Sequence, residues 1–125
     1  MSLTFRELGV PADLATLLDQ RGITAPFPVQ AATLPDALAG RDVCGKAPTG
    51  SGKTLAFGIP LVVRSTQGRP RRPHALVLAP TRELAAQIES ELRPLAALRK
   101  QTVASFYGGV GFGKQLTALR NGVDI

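Results

Sequence analysis

Residues 41–63 read RDVCGKAPTGSGKTLAFGIPLVV: a short apolar stretch, a glycine-rich turn, then an apolar run. The reading that decides the fold is strand over Arg41–Ala47, loop, and helix over Thr54–Val63. The eight residues A-P-T-G-S-G-K-T fit a phosphate-binding loop except that Ala47 stands where a glycine usually does. Gly50 and Gly52 let the backbone curl, so that successive N–H groups point into one concavity suited to phosphate oxygens. A helix starting near Lys53 adds its N-terminal partial charge. On this reading Ala47, Pro48, Thr49, Gly50, Ser51, Gly52, Lys53 and Thr54 form the phosphate site. Lys53 reaches the β- and γ-phosphates, and the Thr54 hydroxyl holds Mg²⁺. Pro48 has no N–H, so it removes one donor from the cradle. The competing reading is a chance glycine-rich turn, which the flanking strand and helix disfavour. The loop by itself does not separate helicases, kinases and transport ATPases.

Outward from the loop, helices and strands alternate. Pro11–Arg21 places Leu14, Leu17 and Leu18 on one helical face, with Gly22 to close it. Val29–Ala39 is helical in character, broken by Pro35 and stopped at Gly40. After the loop helix comes a basic connection, RSTQGRPRRP, at 64–73. HALVLAP, from His74, is an unbroken apolar run suited to a buried parallel strand. Thr81–Arg93 is expected to be a helix with Leu84, Ile88 and Leu92 in register, ended or bent by Pro94. TVASFYG, from Thr102, is a third strand, Gly113–Arg120 a short helix capped near Gly122, and Val123–Ile125 a strand just begun. The order implies an α/β domain with a mostly parallel sheet flanked by helices. The interrupted last strand makes a piece of a longer domain the expectation.

Composition sets wider limits. The chain has 125 residues, 44% of them hydrophobic, enough for a packed core and against disorder. Every apolar run is interrupted by Arg, Asp, Lys or Pro before it reaches a membrane span. The N-terminus MSLTFRELGV has an acid and no apolar core, so no signal peptide is expected and the cytoplasm is the default. Fifteen Lys+Arg against nine Asp+Glu give a net charge of +6, consistent with a nucleic-acid partner or with a plain basic surface. Cys44 stands alone, so no internal disulfide forms, and it reads as a small buried apolar residue.

Two flanking blocks narrow the chemistry. In G22-I-T-A-P-F-P-V-Q30 the Gln30 amide offers an acceptor and donors that complement adenine N6 and N7. Phe5, seventeen positions before Gly22, could stack on the base. Taken singly, Phe5 is better read as a core residue and Gln30 as a surface helix residue. Downstream, A79-P-T-R-E-L-A85 stands at a strand-to-helix turn. Ligands in open parallel sheets bind beyond the carboxyl ends of the strands, so this turn and the loop are expected to share one edge. Thr81 with its exposed N–H groups and Arg82 would suit a phosphate, or would simply cap the helix. Y107-G-G109 offers bare backbone N–H groups at a third strand end, or merely a turn.

The set GITAPFPVQ, APTGSGKT, PTRELAAQ and YGG, in this order, closely resembles the first half of the N-terminal RecA-like domain of DEAD-box ATP-dependent RNA helicases. The resemblance runs from Phe5 to the closing GVDI, and the spacing of its first block is most similar to bacterial, RhlE-like members. It implies a Q-motif region over 1–31 and the first part of a truncated ATP-binding domain over 32–125. Phe5 and Gln30 would recognise adenine, Thr49–Thr54 would take phosphates and Mg²⁺, and Lys53 and Thr54 would serve catalysis. Pro80, Thr81, Arg82, Gly108 and Gly109 would contact the RNA sugar-phosphate backbone without reading sequence. Departures are Ile23, Phe27 and Pro48. The family's D-E-A-D acids, its S-A-T segment and its second RecA-like domain with an arginine finger would lie beyond Ile125.

Three readings therefore compete. The parent is an ATP-dependent RNA helicase; or the chain is an isolated nucleotide-binding module without catalysis; or it is an unrelated P-loop kinase or transport ATPase, against which the Gln30 block and PTREL argue. No membrane partner is expected, and an exposed sheet edge could pair two copies of the chain.

Overall fold

The computed structural model describes residues 3–65, 72–109 and 111–125. Most of the basic connection at 64–73 thus lies outside the described residues. The chain divides into two compact bodies, Met1–Arg64 and Ser65–Ile125.

In the first body, Thr4 and Glu7 close a turn: the Thr4 N–H and hydroxyl both donate to Glu7 Oε2, at 2.7 and 2.9 Å. Those bonds, the backbone one first, hold the exposed Glu7 carboxyl below its ordinary pKa. Helix α1, Ala12–Gln20, buries Leu14, Ala15 and Leu18 on one face. It ends in a Schellman motif, with Gly22 at φ +77° and the Ile23 N–H donating to the Leu18 carbonyl at 2.9 Å. Helix α2, Pro28–Leu38, opens on a proline and continues past Pro35 to its own glycine stop at Gly40. Helix α3, Lys53–Arg64, packs on α2 and buries Ala56, Ile59 and Val62. These side chains, with Phe5, Leu8, Val10 and Leu34, are the core of this body.

In the second body α4, Arg82–Leu98, continues beyond Pro94. Of the two outcomes expected at that proline, an end or a bend, the end at Arg93 is corrected. A mid-helix proline costs about 3 kcal/mol. Burying Leu95 and Ala96 beyond it, with Leu92 before it, offsets that at about 1.5–3 kcal/mol for each leucine. The true stop is Lys100, at φ +57°, whose N–H bonds Ala97 while Gln101 N–H bonds Ala96. A lysine in a position that glycine usually holds leaves no signal in the sequence. Helix α5, Phe112–Asn121, has no fully buried residue and closes at Gly122.

The parallel sheet is the main departure. No strand is assigned among the described residues; 41–48, 75–79 and 101–107 carry no assigned regular structure. Among the described residues, backbone pairing is seen where the second-body segments meet. Ile125 N–H donates to the Thr102 carbonyl and Ala104 N–H to the Ile125 carbonyl, both at 3.1 Å, which is the parallel pattern. His74 and Ala75 both donate to the Asp124 carbonyl, at 2.8 and 3.1 Å. Residues 75–79 keep the two-residue alternation of a strand, yet Leu76 and Leu78 are 79% and 85% exposed. A strand covered on both faces was expected; one face is bare. Cys44 is exposed and not buried as expected.

Candidate nucleotide and nucleic-acid sites

The loop launches α3 in the first body, with Gly50 at φ +79° and Gly52 at φ +82°. Both values lie in the left-handed region that other residues seldom adopt, which is why the turn needs glycine there. Lys53 is exposed in the first turn of α3, and its Nζ donates to the Ala47 carbonyl at 2.8 Å. Thr54 is half-buried beside it, and Pro48 and Thr49 are exposed. Ser51 Oγ is buried and has no hydrogen-bond partner among the described residues. An unpaired buried hydroxyl is costly, so a loop that keeps one beside two left-handed glycines suits an incoming phosphate oxygen.

Gln30 is not the surface helix residue that its position alone suggested. It is 1% exposed, and its side chain reaches across to the loop: Nε2 donates to the Gly52 carbonyl at 3.0 Å. Its Oε1 accepts the Phe27 N–H at 2.9 Å, satisfying an otherwise orphaned donor at the start of α2. A Cβ on Gly52 would collide with Gln30 Nε2 and come within 2.7 Å of Phe27 Cδ2. Phe5 is 3% exposed and belongs to the core; its ring presents no open face to a base.

The second body gathers the other group. Thr81 is the N-cap of α4, its Oγ1 accepting the Leu84 N–H at 3.1 Å, so the capping reading of Thr81 holds. Pro80 and Arg82 are exposed, and Arg82 Nε donates to Glu83 Oε1 at 3.3 Å. Gly109, at φ +84°, lies beside that guanidinium: a Cβ there would be 3.6 Å from Arg82 Nη1. A Cβ on Gly108 would meet open space. An exposed guanidinium next to uncovered glycine backbone is suited to a phosphodiester oxygen. Sequence reading missed Gln115 on α5, whose amide accepts from Tyr107 N–H and donates to Tyr107 C=O, both at 3.2 Å. A glutamine in an amphipathic helix carries no mark of such a contact.

Residues 27–125 match the model of the DEAD/DEAH box helicase family. The chain is 48% identical over 131 aligned residues to the DEAD-box ATP-dependent RNA helicase 3A, chloroplastic, of Zea mays, covering 98% of this chain and 17% of that protein. It is 40% identical to the DEAD-box ATP-dependent RNA helicase CshA of Bacillus subtilis, covering 100% of this chain and 25% of that one. Among solved structures, the RNA helicase Prp28 of Chaetomium thermophilum bound to ADP superposes with a TM-score of 0.87 at 45% identity, over 96% of this chain and 30% of that chain. A DEAD box protein from Methanococcus jannaschii gives 0.88 at 30% identity, over 99% and 34%. The chain thus has the fold of the corresponding part of these proteins and spans about a sixth to a third of their length.

Proposed function

This chain belongs to the DEAD/DEAH box helicase family, and from that premise we propose that it is the nucleotide-binding front part of an ATP-dependent RNA helicase. The observation that carries the reading is the hydrogen bond from Gln30 to the Gly52 carbonyl. It ties an amide with base-reading chemistry to a loop with phosphate-reading chemistry. A glutamine amide has two N–H donors and two carbonyl lone pairs. Gln30 uses one of each on Gly52 and Phe27. The remaining N–H and lone pair match adenine N7 and N6, whereas guanine offers two acceptors at that edge. Phe5 and Gln30, 3% and 1% exposed, would both have to be uncovered to meet the base, Phe5 by stacking on it and Gln30 by reading its edge.

The loop from Ala47 to Thr54 would hold the phosphates, with the N–H groups around Gly50 and Gly52, the unpaired Ser51 hydroxyl and the Lys53 ammonium all directed to negative charge. Thr54 would supply a hydroxyl ligand to Mg²⁺, an ion that offsets phosphate charge as it develops. Pro80, Thr81 and Arg82 with Gly108 and Gly109 would bind the RNA backbone, irrespective of sequence. The acids and the arginine finger that the family resemblance places beyond Ile125 would complete hydrolysis, and the 125-residue chain by itself would bind nucleotide without hydrolysing it.

The finer assignments stand on the same footing: Q-motif region 1–31, a truncated RecA-like domain with a mostly parallel sheet over 32–125, and RhlE-like bacterial affinity. Cytoplasmic residence is likewise a proposal; among the described residues no helix is long and apolar enough to cross a membrane, and the relatives include chloroplastic and mitochondrial proteins. The test is ATP hydrolysis by the full-length protein with and without single-stranded RNA. RNA should stimulate turnover, and Lys53→Ala should remove it; equal turnover with and without RNA would sink the helicase reading.

A further inference from the structure

We propose that Gln115 is a positioning residue for RNA binding, holding the Gly108–Gly109 turn in the conformation that presents its backbone beside Arg82. The inference rests on the RNA role given above to Arg82 and the two glycines. Gln115 Oε1 accepts the Tyr107 N–H and Nε2 donates to the Tyr107 carbonyl, each at 3.2 Å, so one amide satisfies both backbone polar groups of a single residue. That residue is the one immediately before the turn. Two adjacent glycines are the least constrained backbone a chain can have. Gly109 nevertheless sits at φ +84° with Arg82 Nη1 close by. A backbone so free must be held from outside if it is not to be ordered at the expense of binding, which is the physical content of pre-organisation. No strand is assigned at Tyr107; the Gln115 side chain stands in for a strand neighbour there.

A helical glutamine whose task was packing would be expected on a buried face, but α5 buries no residue fully and Gln115 is itself half-buried. Its two bonds run away from its own helix, into the turn. The bidentate geometry also sets a chemical requirement: the side chain must both donate and accept. Glutamate keeps the acceptor and loses the donor; methionine keeps the volume and loses both.

The experiment compares full-length protein with its Gln115→Met, Gln115→Glu and Arg82→Ala variants. A fluorescein-labelled oligouridylate reports RNA affinity by anisotropy, ATP affinity is measured in parallel, and amide hydrogen exchange is followed at Gly108 and Gly109. Gln115→Met is expected to weaken RNA binding about five- to tenfold, from the loss of two neutral hydrogen bonds. It should speed exchange at the two glycines and leave ATP affinity unchanged, with Gln115→Glu falling between. If Arg82→Ala weakens RNA binding but Gln115→Met does not, the positioning role is wrong while the RNA site stands. If neither variant weakens it, the RNA site itself is wrong and the positioning role falls with it. Equal losses of RNA affinity, ATP affinity and melting temperature in Gln115→Met would mark a merely structural residue and overturn the proposal.

Discussion

Gly50 and Gly52 have almost the same backbone, φ +79° and +82°, but different surroundings. A Cβ on Gly50 would meet open space, whereas one on Gly52 would drive into Gln30 and Phe27. Gly50→Ala should therefore cost only the left-handed strain, about 1–2 kcal/mol. Gly52→Ala adds displacement of the Gln30 amide from its buried bonds, a further cost of about 1–3 kcal/mol. Thermal melts of the two variants check this, and equal losses of stability would contradict the tie between Gln30 and the loop. The glycine positions were legible in the sequence because the loop's backbone demands them. The partner of Gln30 was not, because a helix residue 22 positions from Gly52 gives no hint of which carbonyl its amide will meet.

Helices were legible where their stops are glycines and obscured where they are not. Gly22, Gly40 and Gly122 close α1, α2 and α5 close to where the pattern put them. Pro94 misled, since packing across it outweighs the lost backbone bond, and Lys100 supplies a left-handed stop that residue type conceals. The energetic claim has a direct consequence. Leu95→Ala, at a site 1% exposed, should destabilise by about 2–5 kcal/mol and fray the turn after Pro94. Denaturant unfolding with hydrogen exchange over residues 95–98 would read both effects; an intact last turn in the variant would show that burial does not hold it. The strand candidates were legible as short, unbroken apolar runs, but pairing depends on neighbours that a local pattern does not contain. Cys44, Leu76 and Leu78 come out exposed where burial was expected.

At the scale of the whole molecule, the bare Leu76 and Leu78 face and its extended backbone are the kind of edge that recruits another chain. The purified 125-residue chain is expected to self-associate, with mass rising with concentration in sedimentation, and Leu78→Lys should suppress it. A monomer mass independent of concentration would rule that out. The family was more legible than the sheet, because its marks are short local motifs, each lying within one body: Gln30 with the loop, Arg82 with Gly109. The central claim is that Gln30 and the loop make one adenine-nucleotide site. It is tested most directly by competing ATP and GTP against a fluorescent ADP on the full-length protein and its Gln30→Ala variant. The expected result is a preference for ATP of about tenfold, from a bidentate base contact of about 1–3 kcal/mol, that collapses in Gln30→Ala. Equal affinity for ATP and GTP in the unmodified protein would contradict it.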